Sequence, residues 1–171
     1  MIRGGSMTQS ALLGGDAAVN RLAVAAAGEP ATFERAAEAV WVAAQRSGWS
    51  SLVIVPAETG LGVVPLARAL AVVGSAQRGE AVDGLDLRGV PLTESRPHAE
   101  RLADRSRPFR RVALLDCPLE SQAALLLATS ADAALLVVER DHTTLEAARL
   151  VLERVGAQRF VGAVVIEPAR R

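Results

Sequence analysis

The sequence predicts an α/β protein with three layers, in which a doubly wound, mostly parallel sheet lies between two layers of helices. Three observations lead to this fold class. Short apolar runs alternate with segments in which apolar residues recur at helical spacing. The runs are apolar at every position, which is typical of parallel strands covered on both faces. Half of the residues are hydrophobic but only 3% are aromatic, so we expect a core of Ala, Val and Leu.

The length of 171 residues suits one domain with a full hydrophobic core. Residues 1–31 are rich in Ala and Gly and end in Gly28-Glu29-Pro30, so we predict a flexible or weakly structured lead-in there. Part of it, where Gly4-Gly5-Ser6 precedes a second methionine, is typical of an expression tag. A single folded domain is predicted over residues 32–171.

In the first half of the chain, apolar positions from Phe33 to Ala44 predict a helix over residues 32–46, with Thr32 as its N-cap. A β-branched run predicts a strand over residues 51–56. A glycine-containing turn follows, and then a helix over about residues 63–77. Strand, glycine turn and helix form the first unit of a doubly wound fold. Residues 79–108 are polar and rich in proline, and predict only a weak strand near 80–85 and a short helix near 97–105.

In the second half, the apolar runs predict strands over residues 111–116, 133–139 and 160–166. Helices are predicted between them, over residues 119–128 and 143–155. A Thr-Thr pair begins the second of these helices and Gly156 ends it.

Composition excludes several classes of function. The 19 basic residues balance the 19 acidic ones, so we expect no general nucleic-acid binding. The single Cys117 cannot form an intramolecular disulfide, and with only two histidines we expect no zinc site. No apolar run reaches the roughly eighteen residues of a membrane span, and the N-terminus lacks the order of a signal peptide. We therefore expect a cytoplasmic protein without membrane insertion.

Three segments, in this order, resemble the polysaccharide tyrosine kinases of bacteria and their ParA/MinD relatives among the P-loop NTPases. Residues 53–71 resemble the first strand, P-loop and helix of that family. Residues 112–118, with the sequence VALLDCP, are similar to its Walker B strand, which ends in Asp-Thr-Pro. Residues 131–148 resemble a later segment that runs from Ala-Asp through a strand to a Thr-Thr helix. The resemblance covers about residues 33–167 and implies a P-loop NTPase-like fold.

The residues that handle phosphate in this family are missing here. A P-loop wraps phosphate with backbone N–H groups, and it adds a lysine and a hydroxyl that binds magnesium. By the resemblance, the lysine is Val63 and the hydroxyl residue is Val64. The second lysine of the ParA/MinD branch is Glu58. Since the chain contains no lysine at all, Gly60 and Gly62 are expected to shape a tight turn rather than a phosphate cradle.

Two carboxylates of the family pattern remain. The Asp-x-Asp-Leu-Arg segment of the family resembles residues 84–88, where Asp86 and Arg88 are present but Gly84 replaces the first aspartate. Asp116 follows the Walker B-like strand, at the edge of the sheet where such folds bind ligands. A capping role for Asp116 and a solvated pair of Asp86 with Arg88 are the structural alternatives.

Further family features are absent from the sequence. The chain has no Tyr, which excludes autophosphorylation of a tyrosine cluster. The Glu-x-x-Arg-x-x-Arg motif of the family's ring interface is represented by Glu38, Trp41 and Ala44. The adenine-contacting Asn falls near Ile166 and Glu167. The resemblance thus predicts a degenerate member.

We therefore expect a catalytically inactive, ATPase-like interaction or regulatory protein, with neither ATP nor magnesium bound. By resemblance, it would act in bacterial polysaccharide biosynthesis or export, recruited to the inner face of the cytoplasmic membrane. Its partner would be a membrane component of the polysaccharide-assembly machinery or a catalytically active homologue. A homodimer is the further alternative. Trp41 and Trp49 would mark a contact surface if exposed.

Two alternatives remain at this stage. One is a nucleotide-binding protein with weak or no hydrolysis, of the ParA/MinD positioning type, which would use Gly60, Gly62, Asp86 and Asp116. The other is a thiol-dependent enzyme with Cys117 as nucleophile, which needs an exposed thiol of low pKa.

Overall fold

A computed structural model describes residues 22–46, 48–79, 81–107 and 110–168. The strands in this part of the chain are β1 (Leu22–Ala26), β2 (Ser51–Pro56), β3 (Asp83–Asp86), β4 (Arg111–Leu114), β5 (Ala133–Glu139) and β6 (Phe160–Glu167). The helices are α1 (Pro30–Gln45), α2 (Val64–Arg78), α3 (Ser95–Ala103), α4 (Gln122–Ser130) and α5 (Leu145–Val155). Short 3₁₀ turns occupy Leu92–Glu94 and Ala157–Arg159.

The strands form one sheet in the order β1-β6-β5-β2-β4-β3, and every pair of neighbours is parallel. One apolar cluster joins α1 and α2 to one face of the sheet. A second cluster joins α3, α4 and α5 to the other face. The predicted three-layer α/β fold with a parallel sheet is thereby confirmed.

The centre of the sheet contains a topological switch point. The connection that leaves β2 passes to α2 on one face, whereas the connection that leaves the adjacent β5 passes to α5 on the other face. The loops after β2 and β5 therefore separate at the carboxyl edge. Open α/β sheets bind their ligands in the crevice at such a point.

Strand β1 corrects the prediction of a lead-in up to residue 31. It pairs with β6 along its whole length, from Leu22 opposite Ala163 to Ala26 opposite Glu167. Three of its five residues are alanine, which has a low strand propensity, so the strand depends on its neighbour rather than on local preference. The rest of the predicted lead-in, residues 1–21, lies outside the described residues.

Helix α1 begins earlier than predicted. Pro30 occupies the first turn and Glu29 is the N-cap, because the fixed φ of proline suits a helix start. The predicted cap, Thr32, instead lies inside the first turn. Its Oγ1 accepts a hydrogen bond from the backbone N of Ala26 at 2.8 Å and donates to the Glu29 carbonyl at 2.7 Å. This side chain joins the end of β1 to the start of α1.

The remaining elements agree closely with the predictions, and the differences have local causes. Strands β2 and β5 have the predicted bounds. Helix α4 begins only at Gln122, because the Ser121 side chain accepts a hydrogen bond from the backbone N of Ala124 and caps it. The Thr-Thr cap of α5 is confirmed at Thr144, whose Oγ1 accepts from the backbone N of Ala147 at 3.1 Å.

Candidate functional site

The turn between β2 and α2, which takes the place of a P-loop, lies beside the switch point. Gly60 has a φ of 82°, a left-handed conformation that favours glycine. The backbone N of Val63 donates to the carbonyl of Leu61 at 2.8 Å, which tightens the end of the turn. Gly60 and Gly62 therefore belong to a compact strand-to-helix connection.

Val63, which the sequence resemblance aligns with the P-loop lysine, is a core residue. Its side chain is 2% exposed and belongs to the apolar cluster that includes Leu61 and Leu66. Val64 is half-buried against the same cluster and begins α2. Pro65 follows in the first turn, where proline is well tolerated. The side chains of Val63 and Val64 therefore anchor the start of α2 to the sheet.

Glu58 directs its carboxylate towards the loop after β5. Its Oε1 lies 3.5 Å from the backbone N of Thr144, and its Oε2 lies 3.6 Å from Nε2 of His142. The neighbouring Thr59 donates a hydrogen bond to Glu120 at 3.2 Å. Two carboxylates thus lie at this turn: Glu58 is directed to the loop after β5, and Glu120 belongs to the loop after β4.

Asp86 and Arg88 form a two-pronged ion pair at the end of β3. Nε of Arg88 donates to Oδ1 of Asp86 at 2.8 Å, and one terminal nitrogen donates to Oδ2 at 2.6 Å. The hydrogen bond from Arg88 holds the pKa of Asp86 below its ordinary value. Both side chains are about half exposed. The solvated pair predicted as the structural alternative is present.

Asp116 lies just beyond β4 and fastens a neighbouring loop. Its Oδ2 accepts a hydrogen bond of 2.6 Å from the backbone N of Gly89, in the loop that follows β3. Gly89 has a left-handed φ of 71°. The charge of Asp116 also helps to raise the pKa of Arg88, after the larger effect of Asp86. The carboxylate therefore caps a loop, although it caps the loop after β3 rather than its own.

Cys117 lacks the properties of a nucleophile. Its side chain is 1% exposed, and its Sγ donates a hydrogen bond to the carbonyl of Ala57 at 3.3 Å. Burial raises the pKa of the Cys117 thiol. The thiol-enzyme alternative needs an exposed thiol with a lowered pKa, and the structure contradicts both requirements.

Trp41 and Trp49 would mark a contact surface only if they were exposed, and both are buried. They are 0% and 3% exposed, because both fill the core between α1, α2 and the sheet. Their rings meet edge to face with centroids 5.3 Å apart, and the guanidinium of Arg110 lies 4.5 Å from the Trp49 centroid. Contact with a partner at these side chains would require the core to open.

Sequence reasoning missed a buried polar cluster at the amino edge of the sheet. Oδ2 of Asp132 accepts hydrogen bonds from the backbone N of Ser50 at 2.8 Å and of Ser51 at 3.3 Å. The Ser51 hydroxyl donates to the carbonyl of Leu102 at 2.7 Å. Asp132 follows Ala131 in the segment that resembles the kinase family, and a polar residue just before a buried strand was the available signal.

Metal ligands do not cluster in the part of the chain that the structure describes, where no group of three or more His, Cys, Asp or Glu side chains could hold an ion. Within the same residues, every helix is too short or too polar to cross a bilayer.

Comparison with known proteins gives structural matches only. No family model matches the sequence, and no curated protein matches it. The kinase domain of the Escherichia coli tyrosine kinase Etk has a TM-score of 0.65 at 15% identity, over 83% of this chain and 76% of that one. The BceF tyrosine kinase domain has a TM-score of 0.53 at 18% identity, over 81% of this chain and 77% of that one.

The chain has the fold of a bacterial tyrosine-kinase domain. The resemblance inferred from the three sequence segments is thus confirmed at the level of the fold. At these identities the likeness concerns architecture, and it assigns no activity.

Proposed function

We propose that this chain is a non-catalytic, tyrosine-kinase-like domain that acts through protein contacts in bacterial polysaccharide synthesis or export. The observation that carries the proposal is the burial of Val63. In a working P-loop a lysine at this position reaches the β- and γ-phosphates. Here the position supplies an apolar side chain, 2% exposed, to the core under α2.

The charges around the turn support the same proposal. A phosphate group about 4 Å from the Glu58 carboxylate would be repelled by roughly 1–4 kcal/mol, depending on its solvent exposure. Asp116 already accepts the backbone N–H of Gly89, and Asp86 already accepts both prongs of Arg88. Binding a magnesium nucleotide here would require these contacts to be exchanged.

The likeness to the tyrosine-kinase domains supports the choice of process and partner. A domain with this fold but without phosphate chemistry is suited to bind a component of the same machinery. We propose a membrane protein of polysaccharide assembly, or a catalytically active homologue, as that partner. Recruitment to the inner face of the cytoplasmic membrane would follow from the first of these partners.

Thermal unfolding in the presence of nucleotide tests the proposal. ATP or ADP with magnesium, at about 1 mM, should leave the melting temperature unchanged. A site with a Kd of about 10 μM would add roughly 2.7 kcal/mol of stability and raise the melting temperature by several degrees. The Etk kinase domain, which has the same fold, is measured under the same conditions as the control protein.

The variant Glu58→Gln separates two reasons why nucleotide would fail to bind. One is repulsion by the Glu58 carboxylate, and the other is the apolar character of Val63 and Val64. If removal of this charge alone produced a nucleotide-dependent shift, repulsion would be the main obstacle, and the chain would be close to a nucleotide-binding protein without hydrolysis. We expect no shift, because the side chains of Val63 and Val64 still offer nothing to phosphate or magnesium. A shift with the unmodified chain would overturn the proposal.

A further inference from the structure

A groove of about 400 Å³ lies between the start of α1 and the first half of α2. On α1 it is lined by Pro30, Phe33 and Glu34, which are three and four residues apart and so share one face of the helix. Glu29, in the turn before α1, extends this wall. Phe33 is 4% exposed and forms the floor of the groove.

The wall formed by α2 has the same helical spacing. Pro65, Arg68, Ala69 and Val72 follow one another at intervals of three, one and three residues. Ala69 is 8% exposed and extends the floor, whereas Val72 is 64% exposed at the rim. Among the large apolar side chains exposed in the described residues, Val72 has the highest exposed fraction. An apolar channel thus runs along the two helices.

The charges on the two walls have opposite signs. The α1 side presents Glu29 and Glu34, and the α2 side presents Arg68. Within the part of the chain that the structure describes, none of these three side chains makes a hydrogen bond or an ion pair. Charged side chains elsewhere do pair, as Arg101 does with Asp83 and Arg140 with Glu167. The groove therefore combines an apolar floor with two carboxylates on the α1 side and one guanidinium on the α2 side.

We propose that this groove binds an amphipathic helix of a partner protein, with apolar residues on the floor, basic residues facing Glu29 and Glu34, and an acidic residue facing Arg68. This inference rests on the proposed function, because it names the surface through which a non-catalytic domain would act. Binding of an amphipathic helix in an apolar groove is a recurring mode of recognition, and the carboxylates of Glu29 and Glu34 opposite Arg68 set the charges that such a helix needs on its two sides. A volume near 400 Å³ accommodates about two leucine-sized side chains.

A stapled helical peptide serves as the probe. It carries two leucines four positions apart, arginines along one side of them and glutamates along the other, with a fluorescent label for anisotropy. A second peptide has both leucines replaced by alanine. The protein variants are Val72→Asp, which places a charge on the apolar rim, and Leu150→Asp as the matched control. Leu150 is 41% exposed on α5, which covers the opposite face of the sheet.

We expect the leucine peptide to bind at least about tenfold more tightly than the alanine peptide. Val72→Asp should weaken its binding by about tenfold or more, and Leu150→Asp should leave it unchanged. Glu34→Arg should weaken it several-fold and should favour a peptide whose two flanks are both glutamate. Circular dichroism serves to check that each variant is folded. We expect all of them to fold, because the substituted positions are exposed.

Three results would overturn the inference: no binding of the leucine peptide, equal binding of both peptides, or equal losses in Val72→Asp and Leu150→Asp. Self-association of the chain that Val72→Asp abolishes and that excludes the peptide would assign the groove to a second copy instead. The nucleotide experiment is independent of these results. A silent nucleotide test with a failed peptide test rejects this surface alone, whereas a nucleotide-dependent shift rejects the proposed function.

Discussion

At the scale of single residues, Asp132 has the most consequential set of contacts at the amino edge. Its carboxylate accepts backbone N–H groups from the start of β2, and its side chain is only 8% exposed. Nε of Arg105 also donates to it, at 2.7 Å. One side chain thus joins three separate segments of the chain, and it satisfies N–H groups at the start of a buried strand.

Asp132→Ala should destabilise the protein by about 2–4 kcal/mol, because it leaves buried donors unsatisfied. Urea denaturation followed by tryptophan fluorescence measures the loss. Asp132→Asn retains one acceptor oxygen and should cost clearly less. Equal stability of the alanine variant and the unmodified chain would contradict a structural role for this carboxylate.

The ion pair of Asp86 with Arg88 predicts a dependence of stability on pH. The pKa of Asp86 is lowered in the folded chain, so the unfolded state takes up its proton first as the pH falls. Its contribution is therefore complete above about pH 4 and is lost as the pH drops through the lower folded pKa.

Asp86→Asn should accordingly reduce stability at neutral pH, by less than about 1 kcal/mol, because the pair is exposed and screened. The difference between the two proteins should shrink below about pH 4. Urea denaturation over a pH series provides the measurement. A difference that grows on acidification would show that the sign of the pKa shift is wrong.

At the scale of elements, the packing of α2 on α1 depends on Gly74. A Cβ at this position would lie 2.6 Å from Cζ3 of Trp41 and 2.8 Å from Cγ2 of Val82. Glycine in a helix costs about 1 kcal/mol relative to alanine, and here it makes room for the indole. The Trp41 ring occupies the space that a side chain at residue 74 would need.

Gly74→Ala should therefore destabilise the protein by about 1–3 kcal/mol, although alanine favours the helix. Trp41→Phe removes the second ring and should relieve the clash, so the double variant should lose less than the sum of the single variants. Chemical denaturation monitored by circular dichroism suits both backgrounds. If Gly74→Ala were stabilising, the close approach of these helices would be refuted.

Strand β1 shows how an element can depend on its surroundings. Its apolar residues are mostly alanine, and the sequence pattern alone predicted no strand there. The register with β6 and the contact between Thr32 and Ala26 hold it in place. Neither contact can be inferred from the strand propensities of the residues in β1.

At the scale of the whole molecule, Cys117 is buried just beyond the carboxyl end of β4, with 1% of its surface exposed. The thiol lies beneath the loops at the carboxyl edge and bonds to Ala57, which directly follows β2. Access to this side chain therefore requires opening of the sheet or its loops. Such opening is governed by the stability of the fold rather than by the chemistry of the thiol.

Alkylation of Cys117 by iodoacetamide should be slower in the native protein than in urea by about a hundredfold or more. An exposed thiol, introduced by Leu150→Cys in a Cys117→Ala background, provides the reference rate. Mass spectrometry over time gives both rates. Native labelling as fast as the reference would restore the possibility of a thiol-dependent activity.

The sequence alone predicted most of the fold and the composition of the candidate site. Strands β2 and β5 were correctly bounded, since continuous apolar runs mark them. The resemblance to the kinase family also predicted that Val63 and Val64 stand where that family has its phosphate-binding residues, and this stays a prediction. The hydrogen bond of Asp116 to Gly89 was not, because it joins residues 27 positions apart through strand order. The helical spacing placed Trp41 on the apolar face of α1, but the edge-to-face contact of its ring with Trp49 depends on the tertiary structure.

The sequence by itself thus determined this protein's alternation of strands and helices, its tight glycine turn, and that the segment resembling a P-loop contains no lysine. These properties follow from side-chain type and short-range spacing, which the sequence displays directly. Only the tertiary structure decided that β1 joins the sheet, that the rings of Trp41 and Trp49 meet edge to face and that α1 and α2 leave a groove between oppositely charged walls. Each of these depends on surfaces brought together from distant parts of the chain, where packing prevails over local preference.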